Sequence, residues 1–408
     1  MAKKERSKVM PRLRFPEFRG AEGWAVDPLN ELADLVNEKT SLSSISTSNY
    51  VSTENLLPDY GGLANASKLP TISSVTRFQT GDILISNIRP YLKKVWQADR
   101  NGGASNDVIV VRAKSALSKA YLSCIIKNDS FISYVMRGAK GVKMPRGDVD
   151  SIRGYPVRYP CEREQQIIAN CLTSLDELIA AQGRKVEALK EHKRGLMQEL
   201  FPREGETIPR LRFPEFRDGP EWEEINAREL FTNRTEKGDN DLPIYSVTMA
   251  DGMVKRASLD RRIDDLADAE GNKKAYEHDV AYNMMRMWQG ACGVASEDCM
   301  VSPAYVVLSP QTGVNSDFYG YLFKLPRMLR LFISHSHGLT KDRLRLYYQD
   351  FGRIPLPRPD ICEQRRIASC LSSLDALIAA ESEKLDALKA HKKGLMQQLF
   401  PAPDEVGE

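Results

Sequence analysis

From Leu172 onward one side of the chain repeats at alternating steps of three and four: Leu172, Leu175, Ile179, Gln182, Val186, Leu189, Lys193, Leu196 and Leu200. The same register returns in Leu371, Leu374, Ile378, Glu381, Leu385, Leu388, Lys392, Leu395 and Leu399. Such steps keep one helix face apolar, and sustained over several repeats they predict a coiled-coil seam. Polar residues interrupt both seams at matching places, Gln182 and Glu381, then Lys193 and Lys392; these lower stability but specify register and partner. Both helices should stop at Phe-Pro, Phe201-Pro202 and Phe400-Pro401, because proline cannot continue a helix. Near-identical seams in one chain predict an antiparallel coiled coil about a pseudo-twofold axis, a spacer roughly 55–60 Å long. The alternative is two separate amphipathic helices, each lying on its own domain.

Elsewhere the pattern is shorter. Runs such as Asp82-Ile83-Leu84-Ile85, Val108-Ile109-Val110-Val111, Asp279-Val280-Ala281-Tyr282 and Tyr305-Val306-Val307-Leu308 are bounded by Gly, Asn, Pro and Asp clusters and read as strands of mixed α/β domains. The chain also repeats itself. Pro11 to Arg19 returns unchanged as Pro209 to Arg217, and Glu164 to Pro202 returns as Glu363 to Pro401 with 26 of 39 positions identical. Between these blocks a constant offset of 197 still sets Asp82 on Asp279, Arg89 on Arg286, Tyr91 on Trp288, Ser105 on Ser302 and Val110 on Val307. The expected organisation is a diverged pair: domain 1–161, helix 162–203, domain 204–361, then helix and tail 362–408. Duplicated framework with diverged inserts suits two similar readers of a two-part target.

Net charge is +3, unevenly spread: +9 over 1–161, zero over 162–203, −4 over 204–361 and −2 over 362–408. The first insert favours a polyanion, whereas the second needs a local basic patch. Seven scattered cysteines without a C-x-x-C pair fit reduced thiols. The start carries no secretory signal and no apolar run is long enough for a membrane span, so a cytoplasmic location is expected.

Two segments interleave cations with aromatics and amides: Arg89, Tyr91, Lys93 and Lys94 in the first insert, and Arg286, Trp288 and Gln289 in the second. Arginine and lysine meet phosphates or guanine edges, glutamine pairs with adenine, and an aromatic packs on sugar or base. Solvated cations on an otherwise structural strand are the alternative for any one of them. Two basic, glycine-containing loops form a second pair: Arg137 to Arg146, with Lys140, Lys143 and Arg146, and His335 to Arg345, with Lys341, Arg343 and Arg345. His335-x-His337 is weak evidence for a metal, and His192 and His391 read as solvated helix residues. There is no phosphate-binding loop, since Gly141 to Gly147 is followed by Asp148 rather than lysine. No nuclease-like carboxylate–lysine cluster, no hydrolytic triad and no Asn/Asp-Pro-Pro-aromatic motif of an amino-methyltransferase is found. Chemistry is therefore expected of a partner, with no metal or cofactor on this chain.

The chain resembles the specificity subunit of type I restriction–modification systems. The resemblance covers nearly its whole length. It is carried by Glu164-Gln165 to Ile168-Ala169 and Glu363-Gln364 to Ile367-Ala368, by Leu175-Asp176 and Leu374-Asp375, by the Gly-Leu-Met-Gln-x-Leu-Phe-Pro endings, and by Gly81 to Leu92 and Asn283 to Gly290. It implies an α+β fold of two target recognition domains separated by two long helices, each domain reading one half of a split site in double-stranded DNA. It further implies docking of two modification subunits carrying S-adenosylmethionine, and of restriction subunits using ATP and Mg. A protein-binding adaptor that has lost DNA specificity is the leading alternative. A solitary nucleic-acid-modifying enzyme is the other.

Overall fold

The computed structural model of the chain describes residues 9–259, 271–340 and 343–401. The chain divides into two units, Met1–Gly183 with Glu383–Glu408, and Arg184–Ser382. Both divisions fall inside long helices, so each unit holds half of each helix.

In the first unit β1 (Ala25–Pro28) pairs antiparallel with β10 (Pro156–Tyr159), which brings the ends of the insert together. One antiparallel sheet has the order β2 (Ala33–Leu35), β9 (Val108–Ala113), β6 (Ile83–Ser86), β7 (Val95–Gln97). A second has the order β3 (Lys39–Ser41), β5 (Ser74–Phe78), β8 (Gly102–Ala104), β4 (Tyr50–Val51), with β4 parallel to β8. Helices α1 (Leu29–Leu32), α2 (Lys119–Ile126), α3 (Asp129–Arg137) and α4 (Val149–Arg153) precede α5 (Glu162–Leu200). Ser118 and Asn128 cap α2 and α3 through their side-chain oxygens, contacts worth about 1 kcal/mol each.

The apolar runs show no alternation because the central strands are buried on both faces. On β6, Ile83 and Ile85 join a core with Tyr121, Leu122 and Phe131, while Leu84 joins a separate core with Phe78, Trp96 and Val110. Strand period two sends neighbours to opposite sides, so one run feeds two cores.

The second unit pairs β11 (Glu223–Asn226) with β20 (Pro355–Arg358). Its first sheet has the order β12 (Phe231–Arg234), β19 (Tyr305–Pro310), β16 (Val280–Asn283), β17 (Cys292–Val294), strand for strand the order of the first unit. Val280 and Tyr282 face one core and Ala281 the other. The second sheet departs from the correspondence. Its order is β14 (Met253–Lys255), β13 (Ile244–Val247), β18 (Cys299–Val301), β15 (Lys273–Ala275). In both units a middle strand, β8 or β18, has one antiparallel and one parallel neighbour. The fourth strand is added to the antiparallel neighbour in the first unit and to the parallel neighbour in the second. Helices α6 (Ala227–Leu230), α7 (Ser316–Leu322), α8 (Pro326–Ser334) and α9 (Tyr348–Phe351) precede α10 (Ile361–Leu399).

In the first unit Ile168 and Leu172 of α5 share a core with Met396 and Leu399 of α10, and Lys392 bonds Asp176. Positions rising along α5 meet positions falling along α10, so these halves run antiparallel. In the second unit Leu196 and Leu200 meet Ile367 and Leu371, and Lys193 bonds Asp375. All eighteen seam positions of the two helices are buried or half-buried. Three of the four polar seam residues carry ion pairs: Lys193 with Asp375, Lys392 with Asp176 and Glu381 with Lys185. The helices end as Phe201 and Phe400 turn inward, Phe201 lying 5.1 Å from Phe318 and Phe400 5.7 Å from Tyr121 between ring centroids.

The unchanged nonapeptide and the Glu-Gln helix start form one joint. Leu13 N–H donates to the Gln398 carbonyl at 2.9 Å in the first unit, as Leu211 does to Glu199 in the second. Gln165 accepts from Ser118 N–H and donates to the Ala116 and Pro160 carbonyls; Gln364 makes the matching bonds to Asn315, Gly313 and Pro359.

Candidate nucleic-acid interface

The two pairs of basic segments, separate in sequence, lie together in each unit. In the first, the chain leaves β6 through Arg89 and Lys93, both left-handed (φ 51° and 53°), which bracket a single 3-10 turn at Pro90–Leu92. Left-handed backbone is strained for residues with a side chain, and such strain concentrates at functional loops. Lys140 and Arg146 exchange backbone hydrogen bonds of 2.9 Å and close a hairpin, turned by Gly141 at φ 97°. The hairpin is tied to the loop: Arg89 N–H donates to Pro145 at 2.8 Å and Gly147 N–H to Asn87 at 3.2 Å.

The second unit repeats this. Beyond β16, Met287–Gln289 form a 3-10 turn ending at Gly290, φ 86°. His337 and Arg345 exchange backbone bonds of 2.9 Å, and Leu346 N–H donates to Met284 at 2.9 Å. The hairpin backbone is close at Gly338, where a Cβ would come within 2.5 Å of the Arg343 carbonyl oxygen, so glycine is required.

The candidate cations differ in how far they are already engaged. Lys93 bonds Asp129 at 2.6 Å and Lys94 the Thr53 carbonyl at 2.7 Å, so both hold the loop. Arg146 pairs with Asp107 at 3.2 Å. Lys140 reaches Asp148, whose carboxyl is held below its ordinary range by the Ser151 backbone N–H and then by Lys140. Lys143 is exposed and has no protein partner among the described residues. Arg89 is half-buried and its Nε has no hydrogen-bond partner; Tyr91 is 48% exposed. Arg286, Gln289, Arg343 and Arg345 are exposed. Trp288 is half-buried, its indole N–H on the Met285 carbonyl at 3.0 Å. Lys341 lies outside the described residues.

Two residues that the charge pattern did not single out stand at the hairpin tips. Val142 and Leu339 fall on one another at the offset of 197, and both are essentially fully exposed (103% and 97%). The available signal was an aliphatic residue directly after the glycine of each basic loop.

Residues 223–390 match the family model described as the type I restriction modification DNA specificity domain. That match spans 168 of the 408 residues, all from Glu223 onward. It resembles the specificity subunit of the type I restriction enzyme MjaVIII of Methanocaldococcus jannaschii, 22% identical over 294 residues, 66% of each chain. Among solved structures the same fold occurs in the type I S subunit from M. genitalium, with TM-score 0.59, 14% identity, and coverage of 96% of this chain and 99% of that one. A chain solved in work on the assembly and conformational transition of a type I restriction–modification system gives TM-score 0.57 at 18% identity, covering 93% of this chain and 97% of that one. The matched segment includes β11 to β20, the loop with Arg286 and the hairpin with Leu339. No helix among the described residues is long and apolar enough to cross a membrane.

Proposed function

We propose that the chain is a non-catalytic subunit that gives a type I restriction–modification complex its DNA sequence specificity. Each unit reads one half of a bipartite site in double-stranded DNA. The antiparallel helices set the distance between the halves, and modification subunits that transfer a methyl group from S-adenosylmethionine to adenine dock beside them. Restriction subunits using ATP and Mg complete the assembly.

The observation that carries this reading is the joining of loop and hairpin in both units. Each combination presents arginine, an aromatic ring and amide or ammonium donors around an exposed aliphatic tip. Arginine and glutamine discriminate base edges, lysine takes phosphate, and an aliphatic side chain meets a thymine methyl or wedges at a base step. The second unit's net negative charge is compatible with this, because Arg286, Arg343 and Arg345 are exposed on the joined loop and hairpin.

The test is the methylome of a host given this chain with a cognate modification subunit. A new split motif, methylated in both halves, supports the proposal. An intact, soluble complex without new methylation overturns it and favours a protein-binding adaptor.

A further inference from the structure

The two units differ where α5 and α10 meet the helix after the main sheet. In the second unit Tyr321 of α7 donates its hydroxyl to Asp375 Oδ2 at 2.7 Å. Lys193 bonds the other oxygen, Oδ1, and its ammonium lies 4.9 Å from the centre of the Tyr321 ring. Carboxylate, ammonium and phenol thus form a three-part cluster. In the first unit Lys392 makes the same bond to Asp176 Oδ1. The residue at the place of Tyr321 is Cys124, by the offset of 197. The lost ring is not replaced. A cavity of about 280 Å³ opens there, lined by Cys124, Lys127, Leu172, Asp176, Lys392 and Met396 among others. Among the described residues no protein donor reaches Asp176 Oδ2, the oxygen whose counterpart takes the tyrosine hydroxyl.

We propose that this cavity in the first unit is a binding site for a small phenol, whose hydroxyl donates to Asp176 Oδ2 and whose ring packs against the Lys392 ammonium. The second unit shows the mode of binding with its own side chain as the ligand. The space is sufficient, since an engineered apolar cavity of roughly 150 Å³ holds benzene. The walls offer both surfaces a phenol needs: Leu172 and Met396 are apolar, Lys127 and Glu177 are charged, and Asp176 and Lys392 are bonded to each other. Burial pushes the Cys124 thiol up to about 12, so it stays protonated and serves as a weakly polar wall, not a nucleophile. A hydroxyl bonded to a carboxylate is a charge-assisted hydrogen bond, which distinguishes phenol from benzene. The proposal does not depend on DNA reading.

Phenol itself is the probe, titrated calorimetrically into the full chain, with benzene as the control. Saturable binding of one phenol per chain is expected, with benzene weaker by at least about tenfold. Cys124→Tyr fills the cavity and should abolish binding. Asp176→Asn should bring phenol and benzene close to equal. Tyr321→Cys should add a second site; if that variant does not fold, the first two decide the matter. Non-saturable uptake, equal binding of benzene by the unaltered chain, or unchanged phenol binding by Cys124→Tyr would overturn the proposal.

Discussion

Arg14 and Glu164, 150 positions apart, share two buried hydrogen bonds of 2.8 and 2.7 Å. The guanidinium also donates to the Ala21 and Glu22 carbonyls, and the Trp24 indole N–H to the same carboxylate. Arg212, Glu363 and Trp222 repeat the arrangement at 2.8, 2.8 and 3.1 Å. The hydrogen bond to the carboxylate raises the pKa of each arginine, against the opposing effect of burial. This accounts for the match of Arg14 with Arg212 within the repeated nonapeptide. Of its three arginines the middle one, Arg14 or Arg212, is the only cation among the described residues that pairs with the carboxylate sealed at the start of each long helix.

Removing that cation leaves a buried carboxylate uncompensated. Arg14→Ala is therefore expected to lower the stability of the first unit by about 3–5 kcal/mol. Arg14→Lys should recover little, because an ammonium cannot form the paired bonds of the guanidinium fork. Chemical denaturation of the three proteins measures the difference; equal midpoints would contradict the joint.

The Asp176–Lys392 pair is partly solvated, with side chains 46% and 15% exposed. Its coupling should accordingly be modest, about 1 kcal/mol. Asp176→Lys and Lys392→Asp should each destabilise, and the double exchange should recover most of the loss. A double-mutant cycle by thermal unfolding reads the coupling, which strict additivity would reduce to zero.

DNA binding should separate two kinds of cation. Arg286→Ala is expected to cost ~1–3 kcal/mol and relax preference at one base pair. Lys143→Ala should weaken binding to every sequence alike and reduce the salt slope by about 1. Leu339→Ser, at an exposed tip, should leave the melting temperature unchanged and weaken specific binding. Fluorescence anisotropy over a salt series with specific and scrambled duplexes distinguishes the three.

The hairpin base should respond to acid. Asp148 caps α4 through Ser151 N–H at 3.0 Å and holds Lys140, and its folded pKa lies below the ordinary carboxylate value. A depressed carboxyl pKa contributes stability that is present above its unfolded value and lost as pH falls through the folded one. The Ser151 amide resonance should therefore move only well into the acid range, and Asp148→Asn should remove that titration. Movement at the ordinary aspartate value of about 3.9 would show that the cap is absent.

Much of the helix pair was legible because a seam is a local, repeating pattern. Lys193 and Lys392 interrupt it at places where they pair with Asp375 and Asp176 across the helices. The loops after β6 and β16 were legible as clusters of cations and aromatics. Their docking on the hairpins was not, because Arg89–Pro145 and Met284–Leu346 are backbone contacts that no side-chain pattern announces. Strand order was equally hidden. A run such as Ile83-Leu84-Ile85 states that both faces are buried without saying what covers them, and nothing local reveals that β3 joins β5 whereas β14 joins β13.

A strand with a core on either side has no neutral positions. Along β6 and β16 each of the first three residues is committed to one packing or the other, and a slip of one place would exchange both sets at once. Change is thereby driven outward, to the loop that follows the strand and to the hairpin resting on it. The rigidity of these strands makes the surface beside them free to diverge, so a lineage can alter what this surface touches while leaving the interior as it stands.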